Sequence, residues 1–342
     1  MTTSDTDAPL EQYFRAVTDA DTFAGTDLVL GLVDEGIPVA KINAEVLVPA
    51  QIRVGRLWEE GKWSVADEHA ATAVTETALL ALSAAAGRRR RRQGRHVALT
   101  CGEGEWHTLP ARMVSALAAA SDIRVSMLGP SLPAEQLGRR LRAGDVDLVA
   151  LSCTMPTNLI GAARSIAAAH DAGVPVLAGG RAFGNTARRA YAIGADAWAS
   201  DPAALMTAAP SLSGRSSDVP PEVQLLDAVS AATIEVAYER MLTAFPRLAQ
   251  MTPSQQAHTR EDFRWMARYT AAALLTDDAT ILDDFLSWLC HLLDGRVPAA
   301  VIKACAHLAA DAFEQDAPAG AGLLRGAADR MTRTTTRTEE EL

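Results

Sequence analysis

Cysteine is scarce: only Cys101, Cys153, Cys290 and Cys305 occur in 342 residues. They are far apart, lack any metal-pair spacing and sit among apolar neighbours. That excludes a disulfide framework and reads as reduced core thiols in a cytoplasmic protein. Net positive charge is also lacking, the formal balance being -10, and a general nucleic-acid binder needs a basic surface to neutralise phosphates. No apolar run approaches the length that spans a bilayer, and no basic segment leads into an apolar stretch with a cleavage site, so neither membrane insertion nor export is expected. The one basic run, Arg88 to Arg92, lies between apolar segments and reads as a solvated linker.

What is present is ample material for cores: 49% of residues are apolar, enough for roughly two to three domains at this length. Residues 1–8 are polar and read as disordered. Helical periodicity over 10–20, 26–35, 40–60 and 65–86, with short Gly/Pro-containing breaks, predicts an antiparallel four-helix bundle. That bundle consumes the N-terminal segment and leaves little chain for a helix-turn-helix DNA reader. From 96 to about 208, apolar strand-like runs alternate with helical patterns, which predicts a parallel α/β sheet with ligands at the carboxyl ends of its strands. Residues 210–221, rich in serine and proline, read as a linker. A third, all-helical region follows, with helices expected at 223–244, 260–275, 278–293, 298–311 and 320–332, then a polar, frayed tail.

The stretch VALTCGEGEWHTLPAR, residues 97–112, reads as a buried strand, a glycine turn and a helix start. Gly102-x-Gly104 could open a dinucleotide fingerprint, but the third glycine would fall at position 107, which is His107. A histidine on such a turn, with Glu105 two residues earlier, suits a metal ligand whose second ring nitrogen is held by a carboxylate. The same residues also fit an ordinary loop histidine that binds nothing.

Two further stretches bear on that choice. Glu105-Trp106-His107-Thr108-Leu109-Pro110 is followed, after forty-one intervening residues, by Ser152-Cys153-Thr154 and then by Gly179-Gly180. This series resembles the cobalamin-binding domains, whose Rossmann-like half carries Asp-x-His-x-x-Gly, then Ser-x-Leu or Ser-x-Thr, then Gly-Gly. Glu105 replaces the aspartate and Pro110 the last glycine. The resemblance implies that His107 is the lower axial cobalt ligand, oriented by Glu105. It also implies that Ser152, Thr154, Gly179 and Gly180 accommodate the dimethylbenzimidazole tail beside the sheet. Upstream, Trp58, nine residues and then Glu68-His69 resemble the cap of light-sensing regulators that hold an adenosyl group. There the tryptophan guards the upper face while Glu68 and His69 would hydrogen-bond ribose or corrin amides; Trp58 also fits bundle core, and Glu68-His69 a solvated helix face. Those regulators carry a histidine directly after the tryptophan. Here it is Glu59, so a bis-histidine photoproduct of the same kind is not expected. Trp63 is read as packing only.

In the third region RWMARYTAAALLTDDATILDDFLSWL resembles the central helices of phycobiliproteins, globin-like bilin carriers, through Arg268-Tyr269, Asp277 or Asp278, and Leu282-Asp283-Asp284. The resemblance places the pyrrole-binding carboxylate at Asp262, with His258 just before the helix and Tyr269 along it as neighbours. It puts Thr259 where a thioether cysteine would stand, so a bilin such as biliverdin would bind without a covalent bond. A helical module that only dimerises is the alternative.

The expected fold is thus multi-domain α and α/β: a four-helix-bundle cap over 10–92, a Rossmann-like parallel α/β cobalamin domain over 95–209 and an all-α globin-like domain over 222–332. The combination resembles the photocobilin group of two-pigment photoreceptors. It implies a cytoplasmic light sensor, not an enzyme, using adenosylcobalamin and a bilin. Its signal would pass through domain packing, homo-oligomerisation or a protein partner, without direct DNA or membrane binding. The rival readings are a corrinoid carrier for methyl transfer and a non-photochemical cobalamin-sensing interaction protein.

Overall fold

Proline, serine and alanine decide where the first helices begin and bend. The computed structural model describes residues 7–87, 94–119 and 121–339; of the disorder expected at 1–8, residues 1–6 lie outside the described residues, as does the Arg88 to Arg92 linker, while Asp7 and Ala8 begin the first helix. Helices α1 (Asp7–Thr18), α2 (Thr22–Asp34), α3 (Val39–Ile42), α4 (Val48–Glu59) and α5 (Val65–Gly87) form the N-terminal bundle. The expected third helix is continuous in path but carries a π-helical turn, Asn43–Leu47, between α3 and α4. Pro49 explains it: with no N–H to donate and a ring that crowds the carbonyl one turn back, it breaks the ladder, and Val48 N–H bonds instead to the Asn43 carbonyl. α5 is rich in alanine, the best helix former. Ser64 caps it: Ser64 Oγ accepts from Asp67 N at 3.2 Å while Asp67 Oδ2 accepts from Ser64 N at 2.8 Å, a reciprocal cap. The same bonds lower the Asp67 pKa.

Two compact units divide the chain. The first runs to Ser152 and adds residues 169–180 and 196–212; the second holds Cys153–Ala168, Arg181–Ala195 and the chain from Ser213. In the first, the bundle core gathers Tyr13, Phe14, Ile42, Leu47, Leu79 and Leu82. Tyr13 donates to Thr75 Oγ1 at 3.1 Å, and burial pushes its phenol up to about 12. Trp63 stacks on Phe14 with ring centroids 6.2 Å apart, the packing role expected of it.

The sheet has strands β1 (His96–Cys101), β2 (Arg124–Gly129), β3 (Leu148–Ser152), β4 (Val176–Gly179) and β5 (Ala197–Ala199), all parallel in the order β2-β1-β3-β4-β5. β1 and β3 are buried throughout, as central strands covered on both faces must be, and the edge strands β2 and β5 are half-buried. The chain reverses its direction of progress between β1 and β3, which opens a crevice at their carboxyl ends. α6 (Leu109–Ala119) follows β1, and its Met113 and Ala116 belong to the same apolar cluster as the bundle, so cap and sheet share a core. α7 (Ala134–Arg142) follows β2, and α8 (Leu159–Asp171) and α9 (Arg188–Ala192) follow β3 and β4.

The second unit is helical: α10 (Pro221–Asp227), α11 (Ala231–Ala244), α12 (Pro253–Thr276), α13 (Thr280–Leu292), α14 (Ala299–Phe313) and α15 (Pro318–Glu339). Phe263, Leu282, Phe313 and Leu324, one each from α12 to α15, are buried. Residues 208–220 carry no regular structure, as the linker composition predicts. Several boundaries differ from expectation. The helix expected over 223–244 is broken after Asp227, because Ser230 restarts it as an N-cap, its Oγ accepting from Thr233 N at 3.0 Å. α12 starts at Pro253, not 260, because Thr252 and Gln255 form a capping box with proline next to it. α15 runs on to Glu339 where a frayed tail is expected from 332. Asp278, from the phycobiliprotein-like stretch, pairs with Arg189 Nε at 2.7 Å, and Asp283 with Arg330 Nη2 at 2.7 Å.

Candidate functional site

The loop after β1 is held in place before any side chain is considered. Gly102 N donates to the Ser152 carbonyl at 3.1 Å, tying the loop to the end of β3 across the switch point, and Ser131 N donates to the Glu105 carbonyl at 2.9 Å. Gly104 stands at φ +83, where other residues are strained. This geometry buries the Glu105 side chain fully and leaves His107 54% exposed.

Glu105 Oε1 accepts from His107 N at 2.9 Å and lies 2.5 Å from His107 Nδ1. An ionised carboxylate only accepts, so Nδ1 carries the proton and Nε2 is left with its lone pair. Among the described residues Nε2 has no hydrogen-bond partner, the arrangement of an imidazole ready to ligate a metal. The hydrogen bond to Glu105 raises the His107 pKa above the ordinary histidine value, against burial, with added pull from the charges of Glu105 and Glu68. Pro110 falls in the first turn of α6, where its missing N–H costs nothing.

Beside the sheet lies a cavity of about 160 Å³ walled by Pro110 and Met113 of α6, Ser152 of β3, Gly179-Gly180 after β4, and Leu205. A Cβ on Gly179 would stand 3.2 Å from the Ala199 carbonyl oxygen, and Gly180 adopts φ +110, so neither position tolerates a side chain without strain. Ser152, Gly179 and Gly180 thus meet at one slot. Thr154 does not: β3 ends at Ser152, two residues earlier than expected, and Thr154 falls in the second unit and outside the slot's lining.

On the cap, Trp58 occupies the last turn of α4 and is 36% exposed, a large apolar surface left open. Glu68 and His69 open α5. The charge of Glu68 adds the last and weakest upward pull on the His107 pKa. Glu68 Oε1 accepts from Thr72 Oγ1 at 2.8 Å. His69 turns back on its own helix, with Nδ1 2.8 Å from the Val65 carbonyl and 3.0 Å from Glu68 Oε2. Sequence reading missed Glu76, which accepts from Thr108 Oγ1 and, at 3.1 Å, from Arg112 Nε. It stands two helical turns beyond Glu68, and that spacing was the available signal. Trp106, 71% exposed beside His107, was also passed over.

Two B12 binding domain models match this chain. One covers residues 95–206 and the other 9–83. The B12-binding region therefore comprises bundle and sheet together, and its residues fit the group: an oriented imidazole with a free lone pair, and an apolar slot whose glycine would be blocked by a Cβ. The chain is 36% identical over 124 residues to the HTH-type transcriptional repressor CarH of Myxococcus xanthus, spanning 36% of this chain and 40% of that protein, less than half its length. The monomethylamine corrinoid protein of Methanosarcina barkeri shares the fold at TM-score 0.50 and 18% identity, covering 58% of this chain and 95% of that one. A cobalamin-binding protein from Desulfitobacterium hafniense DCB-2 aligns at TM-score 0.31 and 19% identity, over 57% and 93% of the two chains. Among the described residues no helix is long and apolar enough to cross a membrane.

In the second unit, His258, Asp262, Trp265 and Tyr269 recur on one face of α12. His258 lies inside this helix rather than before it, since the helix starts at Pro253. Burial pushes the Asp262 carboxyl up to about 6, with His258 pulling it down and Glu261 adding to the rise. Burial, together with the Asp262 charge, pushes the Cys305 thiol of α14 up to about 12. Tyr269 stacks on Phe285 of α13 at 4.1 Å between ring centroids.

Proposed function

We propose that the chain is a light sensor that holds adenosylcobalamin between its helical cap and its Rossmann-like sheet. The observation that carries this reading is the His107 imidazole, its Nδ1 held by Glu105 at 2.5 Å, on a segment that Glu76 of the cap helix α5 grips through Thr108 and Arg112. Bound adenosylcobalamin supplies a cobalt–carbon bond that light breaks. The residues divide the remaining work. His107 would offer Nε2 to the cobalt while Glu105 retains the proton at Nδ1, and Trp58 would cover the adenosyl group and exclude water. Glu68 offers a hydrogen-bond acceptor, and His69 keeps Nε2 available after Nδ1 is spent on its own helix. The signal leaves as altered packing of the cap, read by a second copy or a protein partner rather than by DNA contact of this chain. Similarity to a transcriptional repressor supports a sensor.

The fold likeness to a corrinoid protein supports a second reading, a carrier for methyl transfer. Absorption spectra and molecular size, recorded in the dark with adenosylcobalamin and again after green light, separate the two. A sensor changes both, whereas bound cobalamin with a light-independent size points to a carrier or a non-photochemical sensor. Trp58→Ala should cost adenosylcobalamin ~1–3 kcal/mol of affinity relative to hydroxocobalamin, measured by paired titrations. Equal losses for both corrinoids would reduce Trp58 to bundle core.

The same proposal extends to a second, bilin chromophore such as biliverdin in a globin-like C-terminal domain, resembling the photocobilins. It is supported by a half-buried Asp262 whose carboxylate has no hydrogen-bond partner among the described residues and would accept from pyrrole N–H groups. Co-expression with a biliverdin source, then acid denaturation, tests it: pigment released from the chain supports non-covalent binding, and none acquired favours a dimerisation module. Asp262 also makes a pH prediction. Its folded pKa of about 6 lies above the unfolded value of 3.8, so its favourable contribution is complete well below 3.8 and is lost as pH rises from there through 6. Asp262→Asn should therefore stabilise the pigment-free protein at pH 8 by ~1 kcal/mol, after discounting for its partial exposure, and leave it nearly unchanged at about pH 3. Urea midpoints at the two pH values check the sign.

A further inference from the structure

Glu68, Thr72 and Glu76 recur at one-turn intervals and share a face of α5. Glu76, two turns along that face from Glu68, grips the chain that follows His107. One oxygen, Oε1, receives both the Thr108 hydroxyl and the Arg112 Nε–H, and both the carboxylate and the guanidinium are half-buried. Thr108 is the N-cap of α6, since its carbonyl accepts the first helical bond from Arg112 N at 2.9 Å. Its hydroxyl proton is directed to the cap rather than left to water.

We propose that Glu76 is a positioning residue for His107. On the sheet side Glu105 sets the rotation of the imidazole, and on the cap side Glu76 pins the backbone that carries it, so the presentation of Nε2 depends on where the cap sits. The apolar contact of α5 with Met113 and Ala116 cannot do this alone, because burial is non-directional whereas a charge-assisted hydrogen bond fixes an atom. The proposal rests on the reading of His107 as the cobalt ligand.

The test uses the full-length chain with Glu76→Ala, Glu76→Gln and Thr108→Val. In the cofactor-free protein, amide hydrogen exchange at His107 and in the first turn of α6 should accelerate about tenfold in Glu76→Ala and Thr108→Val. Glu76→Gln, which keeps an acceptor oxygen, should recover part of the protection. With hydroxocobalamin as the probe, Glu76→Ala should bind about tenfold more weakly and show a mixture of His-on and base-off absorption, again partly rescued by glutamine. Wild-type exchange and an unmixed spectrum in Glu76→Ala, with no change beyond a lower Tm, would overturn the proposal and leave Glu76 a packing residue. If Glu76→Ala does not fold, Thr108→Val reads the same bracket from its other end. Should the wild-type chain bind no hydroxocobalamin, the cobalamin reading fails, while the exchange measurement still decides the bracket.

Discussion

His107→Ala is expected to leave bound hydroxocobalamin with the absorption of a base-off corrinoid, and affinity should fall at least about tenfold. The expectation follows from the division of labour on one ring: Nδ1 is committed to a fully buried Glu105 at 2.5 Å, and Nε2 has nothing else to bind among the described residues. Glu105→Ala should act in the same direction but less strongly, because the imidazole survives while its tautomer and rotation are released. Titration followed by absorption in the dark and after illumination checks both variants. An unchanged spectrum in His107→Ala under both conditions would remove His107 from the metal.

Gly179→Leu is expected to close the slot beside the sheet. The first added carbon would already stand 3.2 Å from a backbone oxygen that cannot move without disturbing the β4–β5 ladder, and the remaining atoms would enter a cavity of about 160 Å³. Overpacking of this kind costs about 1–3 kcal/mol, equivalent to roughly 5–150-fold in affinity for a ligand that needs the space. The control is a corrinoid that lacks the dimethylbenzimidazole tail. Hydroxocobalamin should lose most of its affinity while cobinamide loses little; an equal loss for both would show that the slot does not take the tail. Circular dichroism of the free variant separates a blocked slot from a damaged sheet.

Much of this was legible from local pattern. β1 and β3 announced themselves as short apolar runs because both of their faces are covered, and the parallel order followed from helices alternating with strands. The helix boundaries that differ from the pattern are set by caps: Ser230 divides one predicted helix in two and Thr252-Gln255 starts another at Pro253, which places His258 within α12. β3 ends at Ser152, two residues before the strand end that the pattern predicts, and Thr154 lies outside the slot's lining.

By itself, the sequence determined the residue types and their order: a histidine with a carboxylate two positions earlier, a serine, a glycine pair, and a tryptophan spaced from Glu68-His69. Those features are local, since spacing along a strand-turn-helix unit sets which side chains reach the same edge. Only the tertiary structure decided which nitrogen of His107 is spent on Glu105. It also decided that Gly179 stands against the Ala199 carbonyl and that Glu76 grips Thr108 and Arg112. Each of these joins residues far apart in the chain or fixes an orientation. A hydrogen bond depends on distance and direction at the scale of tenths of an ångström, and that follows from how α5, α6 and the sheet pack rather than from the letters at any one position.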